Sequence, residues 1–60
     1  MDELKDCVLS VIADYNHIDK NLVGEVYDEC SYTYLTKAIE LLFKNEEFYT
    51  ERAKIIRKYL

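Results

Sequence analysis

Proline is absent from this chain and glycine occurs once, at Gly24. Neither appears after Thr33, so no such residue forces a turn in the second half. The same scarcity excludes a glycine-rich loop that cradles phosphate. Cysteine is limited to Cys7 and Cys30, which permit one internal disulfide at most. With His17 they are the only strong metal-ligand side chains. None stands in the close pairs that zinc sites use. No Ser-His-Asp arrangement and no H-E-x-x-H motif is present. A Cys and a His can form a nucleophilic pair. Here, however, Cys7 falls on an apolar helix face and His17 follows more than two turns later. No apolar run approaches the roughly 18 residues that span a bilayer. Met1 is followed by acids rather than by the apolar stretch of a signal peptide. These absences lead to the expectation of a cytoplasmic, non-enzymatic chain with reduced thiols. It should use no metal or cofactor and have no membrane partner.

What is present points to a folded helical protein. Half of the 60 residues are hydrophobic and a third are charged, a globular composition. The chain reads as one domain, 1–60, near the lower size limit for folding alone. Chains this short usually need a disulfide, a metal or a partner chain. With the first two scarce, a second copy is the expected support. Net charge is −4, unevenly spread. Residues 1–34 carry eight acids and two bases, whereas residues 35–60 carry four acids and six bases. The acidic balance disfavours nucleic acid.

Leu4, Cys7, Val8, Val11, Ile12 and Tyr15 recur at helical spacing behind Asp2, a good N-cap. A first helix is expected at about 2–15, with Asn16 suited to a left-handed C-terminal cap. Asp19 is a second N-cap. Leu22, Val23, Val26, Tyr27 and Cys30 continue at helical spacing and place a second helix at about 20–29. Gly24 costs that helix up to ~1 kcal/mol relative to Ala unless it admits a close approach of the first. The segment 30–34 reads as a short break.

Residues 34–60 repeat with a period of seven. Tyr34-Leu35, Leu41-Leu42, Phe48-Tyr49 and Ile55-Ile56 open successive heptads. A second apolar set follows at Ile39, Ala53 and Leu60, with Glu46 as the one exception. The pattern predicts a long C-terminal helix, 34–59, of about 40 Å. Its apolar stripe is longer than two short helices can cover. The expected architecture is therefore all-α: a small bundle of three helices, paired as a homodimer through Leu35, Leu42, Tyr49 and Ile56. The alternative is a four-helix monomer broken near Asn45, where Asn45 would cap a fresh helix.

Function is expected to lie in binding. Tyr27, Tyr32 and Tyr34 cluster at the joint near acidic Asp28 and Glu29. Tyrosine is enriched in interfaces. These five are the candidate partner-binding residues of a small adaptor, regulator or inhibitor that docks on a protein partner. In size and composition the chain is of a kind with phage- or plasmid-type accessory regulators. The competing reading is a dimeric nucleic-acid-binding regulator using the basic end of the last helix, Arg52, Lys54, Arg57 and Lys58.

Overall fold

Asp2 starts the first helix as its spacing predicts: its side chain accepts hydrogen bonds from the backbone N–H of Leu4 (3.0 Å) and Lys5 (3.4 Å). The structure, a computed structural model, describes residues 2–59. Three helices follow in order, α1 (Glu3–Asn16), α2 (Lys20–Lys44) and α3 (Glu51–Lys58). No strand occurs among the described residues.

α1 is the centre of the fold. Cys7, Val8, Leu9, Val11, Ile12 and Ala13 are all buried. At 100° per residue those six cover most of the helix circumference. One side packs against α2 and another against α3. Leu9 and Ala13 lie outside the amphipathic stripe and are buried because α1 has two neighbours. α1 ends at His17, which takes the left-handed conformation (φ 56°, ψ 42°). Asn16 stays helical instead, and its side-chain Nδ2 donates to the Ile12 carbonyl at 2.9 Å.

The second and third expected helices are partitioned differently in the fold. Asp19 caps α2 by accepting from the Asn21 N–H at 2.8 Å. α2 then runs through the expected break at 30–34 to Lys44. What remains of the break is a kink at Cys30, whose φ of −122° and ψ of 22° leave the helical region. The kink has a geometric reason. Twenty-five straight helical residues would span about 37 Å, yet the longest dimension of the whole fold is 27 Å. Bending lets both arms bear on the shorter α1, with Val23 and Tyr27 buried from the first arm and Ala38 and Leu42 from the second.

The long helix 34–59 is not formed. The chain turns at residues 45–50, and the last helix is the eight-residue α3. The turn occurs where the alternative placed it, but Asn45 closes α2 rather than opening a helix. Its Nδ2 donates to the Leu41 carbonyl at 2.8 Å. Glu46, the exception in the heptads, adopts a left-handed φ of 55°. Thr50 caps α3, its Oγ1 accepting from the Ala53 N–H at 3.3 Å. Sevenfold spacing survives the turn because Leu42 and Ile56 both reach the same core from different helices.

One polar cluster holds the returned segment in place. The Glu47 carboxylate accepts hydrogen bonds from the Tyr15 hydroxyl, Arg52 Nε at 2.6 Å and Thr50 Oγ1 at 3.3 Å. Arg52 also donates to Ser10 Oγ at 2.9 Å and Asp14 Oδ2 at 2.5 Å, and its guanidinium lies 5.7 Å from the Tyr15 ring centroid. Turn, α3 and α1 are thereby joined through charge-assisted bonds, the stronger kind.

Three substitutions test this description by chemical denaturation followed by circular dichroism. Glu47→Ala leaves Arg52 and Tyr15 without their shared acceptor and should lower stability by about 1–3 kcal/mol. Glu46→Gly relieves left-handed backbone and should raise stability by about 1 kcal/mol. A Cβ on Gly24 would lie 3.5 Å from Leu9 Cδ1, an ordinary contact. Close approach of α1 therefore does not require glycine, and Gly24→Ala should stabilise by roughly 0.5–1 kcal/mol. A loss of stability at Gly24→Ala would show that α1 and α2 pack more tightly than described.

Candidate functional site

The three tyrosines at the joint part company in the fold. Tyr27 and Tyr34 are seven residues apart and turn toward α1. Tyr27 is buried and Tyr34 half-buried, their ring centroids 6.2 Å apart at a 40° tilt. Lys5 sits 5.4 Å above the Tyr27 ring. Burial, with Asp2 and Asp28 nearby, pushes the Tyr27 phenol up from its ordinary value. Tyr32 projects the opposite way and is 82% exposed. Periodicity separates them: at 100° per residue, Tyr27 and Tyr34 share a face and Tyr32 falls on the far side. Asp28 and Glu29 are exposed, and Asp28 lies 3.6 Å from Lys5 Nζ. The five candidate residues therefore do not form one surface. Asp28, Glu29 and Tyr32 are exposed, while Tyr27 is buried in the core and Tyr34 packs half-buried against it.

A different set of side chains stands beside Glu29. Ile18, Leu22 and Val26, four residues apart, are 45%, 57% and 42% exposed. Leu22 and Val26 form one turn of an exposed apolar row along α2, a short ridge of the kind that packs into a partner's groove, while Ile18 precedes the Asp19 cap and lies outside the helix. Glu25 and Glu29 lie three and seven residues beyond Leu22, on the same exposed side. Tyr32 is exposed just beyond the kink at Cys30. The sequence pattern carried this signal, since Val23 and Tyr27 on one side of α2 leave Leu22 and Val26 on another. Helical spacing alone places Leu22, Val23, Val26 and Tyr27 in a single apolar stripe.

The expected pairing seam is distributed among three places. Leu42 and Ile56 are buried in the core of the single chain, Leu35 is half-buried against that core, and Tyr49 is exposed on the turn. The four share no single helix face, because the turn at 45–50 sets Tyr49 and Ile56 apart from Leu35 and Leu42 on α2. Near it Phe43 and Phe48 pack with ring centroids 5.4 Å apart, beside a small apolar slot that Ile39 and Arg57 help line.

The four bases of the C-terminal segment are also divided. Arg52 is engaged by Glu47 and Asp14, and the Glu47 hydrogen bond is the chief reason its guanidinium is held above its ordinary range. An arginine so bound is not free for phosphate. Lys54 lies 3.7 Å from Glu51. Arg57 and Lys58 are exposed and form no ion pair among the described residues.

Cys7 is buried, Cys30 is exposed, and both are free. His17 sits exposed at the end of α1, about 15 Å along the helix from Cys7 by its rise. These two residues do not meet as a nucleophile and its base. Among the described residues no three His, Cys, Asp or Glu side chains gather as a metal site. No helix of the fold is long and apolar enough to cross a membrane. Compared with known families, curated proteins and solved structures, the chain matches none. What the geometry defines is a class: a three-helix all-α fold whose distinctive surface is the outward face of a kinked helix.

Burial pushes the Cys7 thiol up from its usual 9.0, reinforced by Asp6 and Glu3. Tyr27 moves the same way from 10.0. Groups raised in the fold favour it while neutral, and this support disappears as they ionise. Stability should hold up to about pH 9 and fall above it. Tyr27→Phe should flatten the upper part of that decline in thermal melts. At neutral pH, iodoacetamide should label Cys30 alone, and Cys7 only after unfolding.

Proposed function

We propose that this protein is a small acidic, non-enzymatic interaction module that acts by binding another protein through the outward face of α2. It would serve as an adaptor or as an inhibitor of that partner. The observation that carries this reading is the exposed apolar row of Leu22 and Val26 bordered by exposed Glu25 and Glu29, with exposed Ile18 just before the cap and exposed Tyr32 just past the kink. The cost of exposing this apolar surface to water is offset once a partner covers it. Tyr32 adds a large apolar ring with a polar tip, a frequent interface anchor.

The dimer expected along residues 34–59 loses its geometric basis with the long helix. Leu42 and Ile56 already serve the interior of one chain. Nucleic-acid binding through the C-terminal bases retains Arg57 and Lys58 as its free cations, which would neutralise only about two phosphates per chain.

The test is affinity capture with the tagged chain, run beside the variant Leu22→Ser, Val26→Ser, Tyr32→Ala. All three positions are solvent-facing, so the variant should keep its melting temperature. The wild type should retain one protein in stoichiometric amount that the variant loses. Equal recovery by both chains would remove α2's outward face from the proposal.

A further inference from the structure

We infer that the outward face of α2's first arm takes a basic amphipathic helix, with apolar residues one turn apart and lysines or arginines flanking them. This deepens the preceding reading and rests on it. The argument concerns which charges around the ridge are already answered within the chain. The acidic half of the sequence holds two bases, Lys5 and Lys20. Lys20 Nζ lies 2.6 Å from Asp6 and Lys5 Nζ lies 3.6 Å from Asp28. Both cations are thus turned toward acids beside α1. Glu25 and Glu29 have no cationic partner among the described residues. They flank Leu22 and Val26 on the exposed side. The ridge is consequently apolar along its length and negative along its border.

A second copy of the chain does not suit this border. A two-fold antiparallel pairing centred between Leu22 and Val26 would set Asp19 of each copy against Glu29 of the other. A parallel pairing would set Glu25 against Glu25 and Glu29 against Glu29. Both arrangements bring uncompensated carboxylates together around an apolar seam, where like charges are most costly. An anionic membrane surface and nucleic acid are repelled by the same border. A helix bearing Lys or Arg beside its apolar row satisfies ridge and border together. From Leu22 to Glu29 the face runs about 10 Å along α2, so about two helical turns of a partner would cover it.

The probes are two synthetic helical peptides with identical leucines at every fourth position, one flanked by lysines and the other by glutamates. Binding to the isotope-labelled chain is followed by amide chemical shifts. The lysine peptide should bind, with shifts concentrated at residues 18–29. Its affinity should fall steeply as sodium chloride rises from about 0.05 to 0.5 M. Leu22→Ser with Val26→Ser should weaken it by about tenfold or more. Glu25→Lys with Glu29→Lys should transfer the preference to the glutamate peptide. If both peptides bind the ridge equally and without salt dependence, the charge assignment fails while the α2 face stands as an interaction surface. If neither binds, if shifts lie elsewhere, or if the chain pairs with itself through Leu22 and Val26, the inference is overturned.

Discussion

The carboxylate of Glu47 is the point on which the fold closes. α3 has eight residues, fewer than a helix needs to persist alone in water. It forms because Ala53 and Ile56 enter a core already lined by α1 and because the turn before it is anchored. Glu47 anchors that turn by drawing hydrogen bonds from Tyr15 on α1, Thr50 at the cap and Arg52 on α3. Arg52 completes the link with Ser10 and Asp14. Without that clasp α1 would present Cys7, Val8 and Val11 to only one neighbour. A chain this small reaches adequate burial by wrapping one helix on two sides, with no disulfide between its cysteines.

Much of this arrangement is legible in the residues. Asp2 and Asp19 mark two helix starts, and the apolar spacing of α1 names most of its buried face. The all-helical class follows from the same periodicity. The turn at 45–50 is harder to read, because Leu42 and Ile56 keep the phase of one continuous helix while belonging to two. The informative residue was Glu46. Its charge interrupts the apolar register, although nothing in a glutamate favours the left-handed backbone it adopts. The joint at 30–34 misleads in the opposite direction. Its Ser, Thr and Tyr residues disfavour helix locally, but packing of both arms on α1 overrides them and leaves a single kinked residue. Leu9 and Ala13 could not be assigned by an amphipathic pattern that assumes one partner face.

The candidate surface shows the same split between local pattern and global placement. Tyr27, Tyr32 and Tyr34 are neighbours in sequence and not in space, since two face α1 and one faces water. Arg52 stands among basic residues in the chain but points to acids in the fold. Proximity in sequence overstated both clusters. Charge distribution was the sounder guide: the acid-rich half remains acid-rich at the surface of α2. The bases of the other half are partly consumed in holding the molecule together.

The central position of α1 also governs how the polypeptide can acquire its shape during synthesis. α1 is made first, yet one of its two apolar flanks waits for Ala53 and Ile56, which emerge last of the buried set. Until then Val8, Val11 and their neighbours have half a shelter at best. The core on that side of α1 is complete only when α3 is in place. Local order in α1 is thereby tied to residues more than forty positions further along the chain.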